Sequence, residues 1–198
     1  MTNVVSMWCR HQGDNVIGAD EHLPWCIESD TRHFWDVVKD EIIVCGRKTY
    51  ESLPPPLMST VKKIFVFSTQ ADFKVCDKEH HVVISSQKQL EDNLSEEDDI
   101  YVAGGAEIYQ LFMEGKEKFK PHIVVDCIYE GAIQIGNAKL TEISASVAIL
   151  EKKYRKITPD YCLDNVASSI WVRKGEFVEQ DILKKIVHIL EPNATLRW

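Results

Sequence analysis

IIVCGRKTYES, Ile42–Ser52, reads as a strand that runs into a helix through a single glycine. Ile42–Cys45 is a continuous apolar run of strand length, the pattern of a parallel strand covered on both faces. Gly46 interrupts it, and Arg47, Lys48 and Thr49 open a short helix that Pro54-Pro55-Pro56 bring to an end. A second unit of the same kind lies at Ile100–Ala103, where Gly104-Gly105 leads into a helix from about Ala106 marked by Ile108, Leu111 and Phe112. Strands that alternate with helices in this way predict an α/β fold with a mostly parallel sheet.

The rest of the chain fits around these two units. Asn3–Trp8, Ile64–Phe67, Val82–Ile84 and Ile123–Ile128 are further apolar runs of strand length. Ser86 and Gln89 form a capping-box pattern and predict a helix to about Leu94. Ser29 is a candidate N-cap for a helix carrying Phe34, Val37 and Val38. The region Tyr129–Val147 reads as irregular. Ala148–Ile157 and Ser169–Arg173 predict two longer strands, returning as a hairpin through Pro159 and Asp164-Asn165. From Glu176 onward Ile182, Ile186, Ile189 and Leu190 recur at helical spacing, which predicts an amphipathic helix. The organisation expected is one domain over residues 1–175 and a C-terminal extension over 176–198. Packing of that helix on a sheet face is the simpler expectation, and contact with a partner the sharper one.

Composition narrows the function. A net charge of −8 disfavours an extended phosphate backbone as partner. The six cysteines include no CxxC pair, and Cys45 and Cys127 lie in apolar runs, as reduced buried thiols do. There is no signal-peptide pattern and no apolar run of membrane-spanning length. The seven histidines show no metal-ligand spacing, so no metal is expected. These features predict a cytoplasmic protein, a monomer, with neither nucleic acid nor membrane as partner.

Each strand–glycine–helix turn offers free backbone N–H groups and the positive end of a helix dipole, an arrangement that favours phosphate. Two such turns on neighbouring strand ends suit a dinucleotide. The third feature is LPWCIESD, Leu23–Asp30. It sets one carboxylate at a helix start among Leu23, Trp25, Ile27 and Phe34. A helix dipole lowers the pKa of such an acid and a greasy pocket raises it. An isolated acid in a pocket is a candidate proton donor, or an anchor for an amidine-like edge.

Val16-Ile17-Gly18, Leu23-Pro24-Trp25, Asp30, Phe34, GRKTYESLP (Gly46–Pro54), FVFST (Phe65–Thr69) and VAGGAEIY (Val102–Tyr109), in this order and spacing, resemble the dihydrofolate reductase family over roughly residues 1–175. The resemblance implies a single-domain fold closed by a C-terminal antiparallel hairpin. It implies NADPH as cofactor, and hydride transfer to C6 of dihydrofolate with protonation at N5. Asp30, Leu23 and Trp25 take the catalytic positions it implies. Val5, Asp30, Thr31, Phe34, Leu53, Leu57, Lys62 and Asp126 take substrate positions. Ile17, Gly18, Gly46, Arg47, Lys48, Thr49, Ser68, Thr69, Ala103, Gly104, Gly105, Ala106, Glu107, Ile108 and Tyr109 take cofactor positions, with Arg47, Ser68 and Thr69 at the adenosine 2′-phosphate and Gly104-Gly105 as a cis pair. Antifolates are implied as ligands of the same pocket.

The departures from the family pattern fall on the substrate side. Lys62-Lys63 stands where an arginine grips the substrate's glutamate carboxylate, and lysine lacks the bidentate fork. Asp126 stands in the strand where a threonine partners the catalytic acid, which predicts two acids in one site if it faces Asp30. Thr31, Ser6, Met7 and the turn Gly136–Thr141 also differ. Two other readings therefore accompany the reductase: a reductase of another pterin-like substrate, and a degenerate NADPH-binding or interaction module that uses the C-terminal helix.

Overall fold

The computed structural model describes residues 3–20, 22–70, 72–133 and 136–190. Its order is β1 (Val4–His11), β2 (Val16–Ala19), α1 (Glu28–Val38), β3 (Ile42–Gly46), α2 (Arg47–Ser52), α3 (Pro55–Met58), β4 (Lys63–Phe67), β5 (His81–Ile84), α4 (Gln87–Asp92), β6 (Ile100–Val102) and α5 (Ala106–Glu114). Then follow β7 (Ile123–Tyr129), β8 (Leu140–Glu142), α6 (Ser144–Lys153), β9 (Tyr154–Lys156), β10 (Tyr161–Leu163), β11 (Val166–Arg173) and α7 (Gln180–Leu190). The main sheet runs β10-β11-β7-β1-β6-β3-β4-β5, with β9 also paired to β11. β5, β4, β3, β6, β1 and β7 are mutually parallel, and β11 closes the sheet antiparallel to β7.

β1 is the central strand, and its period of two sorts its side chains between two cores. Val5, Met7 and Cys9 face a core shared with Phe34, Trp35, Leu53 and Leu57. Val4 and Trp8 face a second core with Ile108, Tyr109 and Phe112 from α5 and Val147 and Leu150 from α6. The main sheet is thus covered on both faces, as its continuous apolar runs require.

Several local expectations are corrected. Residues 148–153 belong to α6, and only Tyr154–Lys156 is strand. The apolar run hides a helical spacing, since Ile143, Val147, Leu150 and Tyr154 are the buried positions. Val166–Arg173 pairs instead with the short strands β9 and β10. The prolines end α2 but also start α3, with Pro55 in its first turn, where a missing N–H costs nothing. α1 begins at Glu28, and its N-cap Ile27 makes no side-chain capping bond, so Ser29 lies inside the helix. The region after Tyr129 contains β8, which pairs with β2.

The expected C-terminal helix is α7. Ile182, Leu183, Ile186 and Val187 are buried in the core that holds Trp35 and Val38 of α1. Lys185 Nζ meets Glu41 Oε1 at 2.5 Å and lies 5.7 Å from the centre of the Tyr101 ring. Residues 191–198 of the expected extension lie outside the described residues.

Candidate active site

Asp30 sits in the first turn of α1, where the helix dipole favours its ionised form. Burial dominates nonetheless and raises its pKa to about 6, against a smaller lowering by a hydrogen bond from the Cys9 thiol. The balance left open by the sequence is therefore settled towards desolvation. Cys9 is in turn pushed well up, first by its own burial and then by the Asp30 charge. Cys127, in register with Cys9 on the neighbouring strand, is raised by burial and by the same carboxylate. Thiol neighbours that stay protonated add no charge to compete with Asp30.

Four of the positions that the resemblance gives to the substrate lie on the core that also holds Cys9, the thiol beside Asp30. Val5 is fully buried, and Phe34, Leu53 and Leu57 pack on the same core. Phe34 meets Trp35 edge to face, with ring centres 5.2 Å apart. Thr31 is an exposed residue on α1, one step along the helix from Asp30. Trp25 packs on Tyr129 of β7 at 5.2 Å, and its Nε1 is shielded from solvent without a hydrogen-bond partner. A buried donor of this kind is suited to a bound water or ligand atom. Leu23 is 55 % exposed, on the loop between β2 and α1. That loop is anchored through β2, whose Gly18 pairs with Thr141 and whose following residue Asp20 exchanges hydrogen bonds with Lys139.

Two substrate positions are corrected. Asp126 does not face Asp30. It is in register with Trp8, on the opposite face of the sheet from Cys9 and Cys127, because one residue along a strand changes the face. There it accepts hydrogen bonds from Trp8 Nε1 at 2.7 Å and from Arg10 Nε and Nη2 at 2.8 and 2.9 Å. The residue on the Asp30 side of that strand is Cys127. Lys62 pairs with Asp98, Nζ to Oδ1 at 2.7 Å, which draws it to the turn before β6 instead of the Phe34 side.

The cofactor positions converge at the carboxyl ends of β3, β4 and β6. Gly46 N donates to Gly104 O at 2.7 Å, which locks the two glycine turns together. The Gly104-Gly105 peptide is cis, as the resemblance implies. Gly104 has φ +101°, and a Cβ there would lie 2.9 Å from Tyr109 Oη; a Cβ on Gly105 would meet Thr49 Oγ1 at 3.4 Å. Gly46 and Gly105 cap α2 and α5 with no side-chain hydrogen bond, so side chains do not consume the N–H groups there. A β-carbon on Gly104 or Gly105 would crowd Tyr109 or Thr49, so the backbone of this turn is left bare. Gly46 is in register with Phe67, so Arg47 and Ser68 follow side by side from adjacent strands. Among the described residues Arg47 pairs with Glu51, at i,i+4 and 2.6 Å, a weak contact that a phosphate can replace. Thr69 is exposed beside them, as is Lys48 on α2. Ile17 on β2 packs at the edge of the Trp8 core, and Ala106, Glu107 and Ile108 form the first turn of α5. Tyr109 Oη donates to Met7 O at 2.6 Å and ties α5 to β1. No cluster of metal-binding side chains occurs among the described residues.

The site positions read from the sequence include none of Cys9, Cys127 and His33, although Cys127 was read as a buried thiol. The first two were legible in principle, since the alternation Val5, Met7, Cys9 puts Cys9 on the side of Val5. His33 required tertiary packing: burial lowers its pKa to about 4, and its Nε2 is shielded with no partner.

The sequence profile of the family described as dihydrofolate reductase matches residues 4–145. A dihydrofolate reductase of Enterococcus faecium is 36% identical over 137 residues, which cover 69% of this chain and 80% of that protein. The Saccharomyces cerevisiae dihydrofolate reductase is 37% identical over 118 residues, 51% of this chain and 56% of that one. For the Bacillus subtilis dihydrofolate reductase the figures are 31% over 106 residues, 54% and 60%. Among solved structures, a dihydrofolate reductase from Enterococcus faecalis complexed with NADP(H) and RAB-propyl superposes with a TM-score of 0.64 at 16% identity, covering 87% of this chain and 96% of that one. That likeness shows a shared fold.

Proposed function

The chain belongs to the dihydrofolate reductase family, and from this premise we propose that it reduces 7,8-dihydrofolate to tetrahydrofolate with NADPH. One observation carries the reading. Asp30, the acid in the expected place, has its pKa raised to about 6 by burial, on the same core as Val5, Phe34, Leu53 and Leu57. An acid poised near the working pH can do both jobs the reaction asks of it. Ionised, its two oxygens accept paired N–H bonds from the pterin edge. Protonated, it is a proton source for N5, and the unpartnered Trp25 Nε1 is a donor able to hold a relaying water.

NADPH, when bound, supplies the hydride that goes to C6. In the proposed arrangement Gly46, Gly104, Gly105 and the first turn of α5 hold its pyrophosphate with backbone N–H groups, assisted by Thr49. Arg47, Ser68 and Thr69 take the 2′-phosphate, with Lys48 adding positive charge. Ala103, Ile108 and Tyr109 shape the floor, and Ile17 and Gly18 approach from β2. Val5, Thr31, Phe34, Leu53 and Leu57 enclose the substrate, and Leu23 rides on the loop that closes over it, excluding water from the hydride path. Antifolates with an amidine-like edge would use the same Asp30 contact.

The proposed organisation is a reductase domain over 1–175 and an extension over 176–198 whose helix packs on the domain. We further infer a monomer acting in the cytoplasm. Supporting this, α7 already buries its apolar face within the chain, and no described helix is long and apolar enough to cross a membrane.

The test is the decay of NADPH absorbance on adding dihydrofolate, for the wild type and Asp30→Asn. Turnover that falls by about a thousandfold or more in the variant supports the reading; removing a positioned acid forfeits roughly 10²–10⁴ in rate. A wild type that binds NADPH and leaves dihydrofolate unreduced would overturn it.

A further inference from the structure

α1 has two flanks. At 100° per residue, Asp30, Phe34, Val37 and Val38 fall on the stripe towards the sheet. Thr31 and Trp35 lie to one side of that stripe, and Ser29, His33 and Asp36 to the other. The Phe34–Trp35 side packs on the core with Leu53 and Leu57, where the substrate is placed. The other side opens into a cavity of about 480 Å³ that shares Asp30 alone with the substrate positions named above. Its walls are Ser29, Asp30, Arg32, His33 and Asp36 of α1, the chain from Pro159 through the β10–β11 hairpin, and the last turn of α7.

The lining is that of a ligand site. The volume falls within the roughly 300–1,000 Å³ usual for small-molecule pockets. Leu163, Val166, Ile189 and Leu190 supply apolar wall. His33 lines it with a shielded Nε2 that has no partner, and burial keeps the ring neutral at pH 7, so a ring nitrogen can accept an N–H. Charge adds direction. Asp30, Asp36 and Asp160 line the cavity against one guanidinium, Arg32, which is turned back on Glu28 at 2.5 Å. Asp160 is satisfied by Lys156 at 2.6 Å, whereas Asp36 has no cation paired with it among the described residues. An anion would be repelled here, and a neutral molecule would leave the carboxylates without a counter-charge.

We propose that the cavity between α1, the β10–β11 hairpin and the end of α7 is a second small-molecule site, which takes a compact apolar primary amine and shares Asp30 with the catalytic side. The ammonium lies among Asp30, Asp36 and His33, and the apolar body lies against Leu163, Val166, Ile189 and Leu190. Because Asp30 borders both spaces, occupancy at the rear slows the reaction at the front. This consequence rests on the catalytic reading of Asp30; the binding site itself does not.

The probe is 2-phenylethylamine, followed by calorimetry and saturation-transfer NMR on the full chain, with and without saturating NADPH and a diaminopyrimidine antifolate. Binding in the millimolar range is expected, and the antifolate should weaken it, because both cations use Asp30. It should weaken about tenfold in Asp36→Asn and in His33→Phe, and 2-phenylethanol should bind at least about tenfold more weakly. Affinity in both variants equal to that of the wild type, as an amine seated on the Phe34 side would show, or no binding to the wild type, would each overturn the site. Asp36 is exposed on α1, so its variant keeps the test decisive if His33→Phe folds poorly. A separate kinetic arm adds the amine to the NADPH assay. A fall in kcat at unchanged KM for NADPH supports the shared acid. Binding with unaltered turnover overturns the sharing and leaves the site standing.

Discussion

Arg10 grips Asp126 by two parallel hydrogen bonds, Nε to Oδ1 at 2.8 Å and Nη2 to Oδ2 at 2.9 Å, with the two side chains only 12% and 1% exposed. The third guanidinium nitrogen, Nη1, donates to Asn15 Oδ1 at 2.6 Å. Asn15 N and O are also used, towards His11 O and Ile143 N. One buried ion pair therefore holds the start of β2, and with it the loop that carries Leu23, against the sheet. Removing one partner of such a pair strands a buried charge, at roughly 3–5 kcal/mol. Asp126→Leu should lose stability of about that size in urea unfolding. Arg10→Met/Asp126→Leu should recover more than half of it, short of the whole because Trp8 Nε1 also loses its acceptor. Asp126→Asn should leave the midpoint of the pH–rate profile in place, and a displacement of about a unit would show that two acids share the site after all.

The raised pKa of Asp30 predicts that rate and stability both fall as pH rises. The hydride step should be flat below about pH 6 and fall about tenfold per unit above it, as the protonated acid is depleted. For stability, a carboxyl whose folded pKa is raised contributes most below its unfolded pKa, near 4, and that contribution is lost as pH rises through about 6. Asp30→Asn removes the buried charge. The variant should melt with the wild type at pH 4, and above it at pH 8 by an amount worth about 1–3 kcal/mol, while losing turnover. Equal melting at both pH values would mean that Asp30 is solvated.

The parallel sheet was readable because Ile42–Cys45 and Ile64–Phe67 are apolar without interruption, and Ile123–Ile128 but for Asp126, and only a doubly covered strand needs that. The two glycine turns were readable because glycine leaves a mark wherever backbones approach, as Gly46 and Gly104 do at 2.7 Å. Ala148–Ile157 misled because it spans two elements, the end of α6 through Lys153 and β9 from Tyr154. The period that decides, Ile143 to Tyr154, begins outside the run. Asp126 misled for a subtler reason. Its place between apolar neighbours gave burial but not the face, and the face depends on its register with Trp8 and Cys9 across 118 residues of chain. The rear cavity of α1 was invisible, since it is assembled from three segments whose only common property is that the sheet brings them together.

Gly104 predicts a selective effect on the cofactor. At φ +101° any side chain is strained, and a β-carbon would lie 2.9 Å from Tyr109 Oη, which is itself bonded to Met7 O. Gly104→Ala should raise the KM for NADPH by about tenfold or more, the equivalent of about 1.4 kcal/mol. Gly13, at φ +89° with nothing within 4 Å of a built Cβ, is the control. Gly13→Ala should cost stability of about 1 kcal/mol and leave that KM alone. Equal KM values in the two variants would remove the glycine cradle from the cofactor site.

The role of α7 can be decided by two substitutions on its opposite sides. Ile186 is fully buried in the core beneath α1, so Ile186→Ala should destabilise by about 2–5 kcal/mol through lost burial and the cavity left behind. Its elution volume should stay that of the wild type, because the face is already filled by this chain's own Trp35 and Val38. Phe177, ahead of the helix, is 83% exposed. A lone apolar side chain on a surface is ordinary, and Phe177→Ser should alter neither stability nor size. If Phe177→Ser instead shifts a concentration-dependent elution towards smaller species, the extension joins chains together, and the packing of α7 on α1 is only half of its purpose.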